Sequence, residues 1–219
     1  MYRTMKWFLF LSFILSFQLY AQQHEIKSVF ITANLGIYNI AADQFSKTYD
    51  SNIGFAPSIS LGLPLSTRSY LYAKASYFIK NGVPYTSTYS FINGQFVLIS
   101  EKREGTSTFR ELILNAGLLT KIFLSADYTL GLDGGLTFVS QIEKSSNPGG
   151  NLNTTITAGG LMGFFGGAMI EHNFGSSPIS LIGEVQYNLS IRSALGFPND
   201  GGLKADIGVR YYFKDRRLE

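Results

Sequence analysis

Ile53, Phe55, Pro57, Ile59, Leu61, Leu63 and Leu65 fall on one face of an extended chain, with Gly54, Ala56, Ser58, Ser60 and Gly62 on the other. Strict alternation of this kind is the pattern of a β-strand. It recurs along the chain in segments long enough to cross a bilayer at a tilt, and eight can be counted. Tyr128, Leu130, Leu132, Leu136 and Phe138 oppose Asp127, Thr129, Asp133, Thr137 and Gln141. Ile179, Leu181, Val185, Tyr187, Leu189 and Ile191 oppose Ser180, Glu184, Gln186, Asn188, Ser190 and Arg192. In the last segment Leu203, Ala205, Ile207, Val209, Tyr211 and Phe213 oppose Lys204, Asp206, Gly208, Arg210 and Tyr212. The remaining four centre on Ile31–Ile37, Leu71–Ile79, Leu112–Ile122 and Met162–Phe174 and keep the same period.

The links between segments alternate short and long, as in membrane barrels. Ser66–Arg68, Phe123–Ala126 and Gly175–Pro178 are tight, whereas 39–52, 81–108, 143–158 and 193–202 are long and are expected to face out of the cell. The second long link carries Asn93-Gly94, a strong hairpin signal, flanked by Tyr89, Phe91, Phe96 and Leu98. A two-residue turn there pairs residues whose numbers sum to 187. That sum puts Lys74 on the same face as Ile113, so the third and fourth segments are expected to continue past the membrane as a protruding hairpin.

Alternation alone would also suit a soluble sandwich with one wet face. Three features favour lipid on the apolar side. The polar face of the second segment is Gly, Ala and Ser with no charge, which suits a crowded interior better than water. Aromatic residues stand near the ends of the apolar rows, where interfacial girdles belong. None of these rows carries a charge across its central part, where an outward Lys or Arg would cost about 2–4 kcal/mol. The expected fold is all-β: an eight-stranded antiparallel up-and-down transmembrane β-barrel.

Residues 1–21 read as a secretory signal, with Arg3 and Lys6 before the apolar run Trp7–Phe17 and Ala21 at the expected cut. The run is too short to span a bilayer as a helix, so 22–219 is expected to form the barrel domain. Removing the signal takes two of 18 basic residues and none of 15 acidic ones, leaving 16 against 15, or +1. No electrostatic footprint for nucleic acid remains. The absence of cysteine excludes disulfides, thiolate metal sites and an acylated cysteine anchor.

The final segment, Ile207-Gly208-Val209-Arg210-Tyr211-Tyr212-Phe213, carries the most specific likeness. It resembles the closing strand of the OmpA/OmpX-like and PorT-like outer-membrane barrel families, and the likeness extends over the mature sequence. The resemblance implies an outer-membrane location, contact with outer-membrane lipid, and an assembly signal for the barrel-assembly machinery in Val209, Tyr211 and Phe213. The chain departs from the simplest pattern by continuing through Lys214–Glu219, a tail too short for a peptidoglycan-binding domain.

Inward-facing charges are the main candidate chemistry. Lys74, Asp133, Glu171, Glu184 and Arg210 fall at similar depth when counted from the short turns, accompanied by Lys80, Glu111, Lys121, Arg192, Lys204 and Asp206. They could line an ion pathway. A salt-bridged plug is preferred, because side chains can fill eight strands and buried charges must pair. His172, which would matter to a lipid A-modifying enzyme, lies on the outward row two residues before Phe174, where such an enzyme's Ser would be needed. It reads as an interfacial residue. No cofactor is expected. The leading functional expectation is a non-enzymatic scaffold whose loops, above all the 81–108 hairpin with Tyr89, Phe91, Phe96 and Leu98, contact a protein partner at the cell surface. The PorT-like resemblance adds an accessory role in a secretion system. A narrow channel is the second reading and a lipid-modifying enzyme the third.

Overall fold

The computed structural model describes residues 28–42, 45–92, 95–125, 127–146, 153–190 and 201–213. The signal reading (1–21), Asn93-Gly94, Arg192 and the tail 214–219 lie outside the described residues. The strands are β1 (Phe30–Ile40), β2 (Ile53–Phe55), β3 (Ser58–Pro64), β4 (Ser69–Gly82), β5 (Tyr85–Ile92), β6 (Gln95–Arg103), β7 (Thr106–Phe123), β8 (Tyr128–Ser146), β9 (Asn153–Asn173), β10 (Ile179–Ser190) and β11 (Gly202–Tyr212); one short helix, α1 (Phe45–Tyr49), precedes β2. All pairings are antiparallel. The order β11-β10-β9-β8-β7-β4-β3-β1 closes on itself, because β1 pairs with β11 from Phe30↔Tyr212 to Ile40↔Gly202. β2 and β3 both pair with β1 and form one wall strand interrupted at Pro57, which lacks a backbone donor. The result is a closed eight-stranded up-and-down barrel.

Each of the three short turns is tied by a serine hydroxyl that accepts backbone N–H groups, a local bond that competes well with strand continuation. Ser66 Oγ accepts from Arg68 and Ser69, Ser125 Oγ from Asp127 and Tyr128, and Ser177 Oγ from Ile179.

The expected faces are those observed. Ile31, Leu35, Ile59, Leu61, Leu71, Leu132, Leu181, Ile207 and Val209 are exposed on the outer wall, while the alternating Thr32, Asn34, Ser60, Lys74, Thr137, Glu184, Asp206 and Arg210 are buried inside. A large apolar surface has no place in water; here it forms a continuous belt. Tyr128, Tyr211 and Phe213 edge it near the short turns, and Phe55, Tyr77, Phe138 and Tyr187 near the long loops. Ten residues separate Tyr128 from Phe138 on β8, about 25 Å of height at a tilt near 40°. This is the thickness of an outer-membrane apolar band.

Four expectations about the loops and depths need correction. The link expected over 143–158 is largely strand: β8 runs to Ser146 and β9 starts at Asn153, so the wall stands taller on that side. The first long link does not all project outward, because α1 folds back into the barrel mouth. The five inward charges do not share one depth. Adjacent strands are staggered as they tilt, so residues equally far from their turns stand at different heights.

The fourth correction concerns register. The protruding hairpin exists as β5 and β6, a two-stranded sheet of its own. Lys74 and Ile113 do share the lumen face, as expected, but the register is shifted from the sum of 187: Lys74 pairs with Asn115 and Ile113 with Ser76. The turn-proximal pairs do sum to 187, as in Ile92↔Gln95 and Tyr89↔Leu98. Ile99 then bulges, and the sum becomes 188 at Thr88↔Ser100. A second extra residue, Gly105 with φ of 89°, brings it to 189 at Gly82↔Ser107. One bulge would turn every lumen residue of β7 toward lipid. Two restore the faces.

Candidate functional site

The lumen is filled in layers. Nearest the short turns, Phe30, Tyr70, Tyr72, Leu119, Phe165 and Met169 pack together with Tyr212 against them. Within this apolar layer Arg210 is fully enclosed. Its Nη1 donates to Glu171 Oε2 at 2.9 Å, its Nε to Thr32 Oγ1 at 3.0 Å, and its guanidinium lies 3.9 Å from the centre of the Phe30 ring. Lys121 reaches the same Glu171 oxygen at 3.1 Å and donates to the Tyr212 hydroxyl, which in turn donates to Glu171. Glu171 is thus the anion shared by two cations and a phenol.

A second ionic group lies above it. Lys74 Nζ is 3.0 Å from Glu184 Oε1 and 2.7 Å from Asp206 Oδ2, and Lys204 Nζ is 3.1 Å from Asp206 Oδ1. Tyr72 donates to Glu184, Lys204 to Ser76, and Gln186 Nε2 to Asp133 Oδ2 at 2.8 Å. Asn115 completes the layer by donating to Gln186 Oε1 and Asn188 Oδ1. The sequence-expected charges therefore divide: Lys74, Asp133 and Glu184 belong to this upper group, Glu171 and Arg210 to the lower. Asp206, the nearest partner of Lys74, is the member that counting from the turns left out of the set.

Above the ionic layers sits an aromatic stopper that alternation could not reveal. α1 places Phe45 and Tyr49 one turn apart, on one helical face, and both are buried with Tyr38, Ile40, Phe78, Phe109, Ile113 and Val139. Phe45 stacks on Tyr49 at 4.3 Å and meets Phe109 edge-on at 5.0 Å. The Tyr49 hydroxyl donates to Glu143 Oε1 at 2.5 Å and lies 2.9 Å from Ser107 Oγ. Burial, then the bond to Glu143, push this phenol above its usual range, so it stays a neutral donor. The pair Phe45-x-x-x-Tyr49 in a link otherwise rich in polar residues was the available signal.

Arg103, at the base of the hairpin, joins the stopper to it. Its Nη1 is 2.6 Å from Asp50 Oδ1 and its Nη2 donates to the Thr48 carbonyl at 3.3 Å, while the Val83 amide also donates to Thr48 at 2.9 Å. Asp50, at φ 63°, is exposed, and the adjacent guanidinium holds its carboxyl below the usual carboxylate range.

On the hairpin, Phe91 is 64% and Ile99 60% exposed, with Val97 and Leu98 also open. Tyr89 and Phe96 are placed by register alone, opposite Leu98 and Phe91. Val209, Tyr211 and Phe213 form an outward row on and just after β11, the two rings meeting edge-on at 5.1 Å. His172 is half-buried between Tyr128 and Phe174, at 4.8 and 4.7 Å, near the short-turn end.

Among solved structures the chain is similar to Neisserial surface protein A, at 13% identity and a TM-score of 0.55 over 84% of this chain and 97% of that one. It is similar also to Ail, the attachment invasion locus protein of Yersinia pestis, in complex with the heparin analogue sucrose octasulfate. That likeness has 10% identity and a TM-score of 0.54 over 86% of this chain and 100% of that one. A major outer membrane protein from Thermus thermophilus aligns at 12% identity and a TM-score of 0.50, over 84% of this chain and 99% of that one. No family model matches the chain, and no curated protein matches it in sequence. At these identities the likeness is one of fold. That fold, with the apolar belt and its girdles, defines a membrane-spanning eight-stranded barrel of the bacterial outer-membrane class.

Proposed function

We propose that this barrel is a non-enzymatic scaffold that presents the β5–β6 hairpin to a protein partner at the cell surface. The observation that carries the reading is the contrast between inside and outside. The lumen is occupied by two ionic layers and an aromatic stopper, whereas the hairpin holds Phe91, Val97, Leu98 and Ile99 exposed beyond the belt. A two-stranded ribbon presents two outer backbone edges, which suit strand addition by an extended segment of another chain. Glu101, Lys102, Arg103 and Glu104 set charges at its base that limit indiscriminate pairing. An accessory role in a secretion system is one form of this reading. In the same account, Val209, Tyr211 and Phe213 are the row offered to the assembly machinery.

The test is photo-crosslinking in intact cells from Phe91 and Leu98, with Thr154 as a control position elsewhere on the surface. A discrete protein adduct is expected from the hairpin positions only, and it should be lost when the neighbouring exposed Val97 and Ile99 are both changed to Ser with the probe at Phe91 kept in place. Adducts of equal yield from all three sites, or none, would contradict it.

A further inference from the structure

The outer wall is not uniform around the barrel. On β4 and β7 the belt drops to Ala73, Ala75 and Ala116, paired as Ala73↔Ala116 and flanked by Ile59, Leu61 and Phe138. Small side chains between long ones leave an open apolar groove of about 440 Å³ on the lipid-facing surface. Further up β7 and its neighbour β8, past the level of the upper girdle, stand Arg110 and Lys144. Both are exposed, and among the described outward-facing residues of the wall strands they are the only Lys, Arg, Asp or Glu. Arg110 is four residues above Leu114 on β7, and Lys144 six above Phe138 on β8, or about 14 and 20 Å along the strands. An acyl chain spans such a distance.

We propose that this face is a binding site for a phosphate-bearing lipid of the surrounding membrane, one acyl chain lying in the alanine groove and the phosphate held between Arg110 and Lys144. The groove lies within the belt, so its occupant must be apolar. The two cations at its upper end select a negative headgroup, and Arg110 supplies the forked donors that suit phosphate oxygens. Ile79 and Ile142 on either side of Arg110 in the register keep the site at the interface rather than in water. This site is on the wall and independent of the hairpin's partner.

The test uses the mature protein in nanodiscs of phosphatidylcholine doped with phosphatidic acid, with retained lipid identified by native mass spectrometry. Wild type is expected to retain phosphatidic acid in preference to phosphatidylcholine. Arg110→Gln with Lys144→Gln should lower that preference roughly thirtyfold, the combined effect of two basic residues at a lipid surface. Ala75→Leu with Ala116→Leu should abolish retention of either lipid, and excising Tyr85–Lys102 should change nothing. Heat-shifted gel mobility verifies that each variant is folded. For wild type alone, molar salt should erase the preference by screening, which tests the proposal even where a variant does not fold. Equal retention of both lipids by wild type would overturn it. So would undiminished preference without the two cations, or a second copy cross-linked across the groove in place of lipid.

Discussion

Arg210 illustrates how a charge is kept inside a barrel. Its guanidinium is met by Glu171, Thr32, the Met169 sulfur at 3.2 Å and the Phe30 ring. Breaking a buried pair leaves the other charge uncompensated, which costs far more than the pair itself contributes. Arg210→Ala is therefore expected to lower unfolding free energy by about 3–5 kcal/mol, and Lys102→Ala, exposed on the hairpin, by no more than about 0.5. Denaturant titration in detergent micelles measures both. Asp50 makes the join between stopper and hairpin sensitive to pH. Its folded carboxyl is held below the unfolded value by Arg103, so the contact contributes fully above the usual carboxylate range near pH ~4. It is lost as pH falls through the lowered folded value. Protection of the Val83 amide against exchange, taken relative to its intrinsic rate at each pH and resting on its bond to Thr48, should hold down to about pH 4 and fall below it, and Asp50→Asn should remove that dependence. Protection lost already above about pH 5 would assign the contact to another group.

Between β7 and β8, Gly117 faces Gly135 across the ladder. A Cβ at Gly117 would lie 2.1 Å from the Gly134 carbonyl oxygen, whereas one at Gly166, on the outer face, meets nothing nearer than 3.9 Å. Gly117→Ala should cost about 1–3 kcal/mol through forced backbone movement, and Gly166→Ala should be tolerated. The folded fraction on unboiled gels reads the difference. Strand number, faces and short turns were legible in the sequence because alternation is local and the belt demands it at every second residue. Register was legible only to parity. The bulges at Ile99 and Gly105 each add one residue without any change in alternation that a reader could see, and their sum preserves the faces. The stopper was not legible, because Phe45 and Tyr49 follow a helical period over a single turn, too short to stand out. Asp206 was recognised as inward, yet its place beside Lys74 comes from strand stagger, which no count from the turns supplies.

Across the whole molecule, the inside and the outside differ in chemistry. Two ionic groups and a stopper make the lumen a packed core, tied to the hairpin through Arg103, Asp50 and Thr48. The belt faces lipid, and the hairpin stands beyond it. Closed barrels keep their ladder in SDS until heated, so the mature protein should migrate differently with and without boiling; equal mobility would argue against a closed sheet. On the proposed function the barrel is sealed and works from its outer surfaces. Ion flux across lipid vesicles loaded with the heat-shifted form tests it most directly. A sealed barrel should give flux no greater than that of protein-free vesicles, while steady, protein-dependent conductance by the intact barrel would show that the lumen is open.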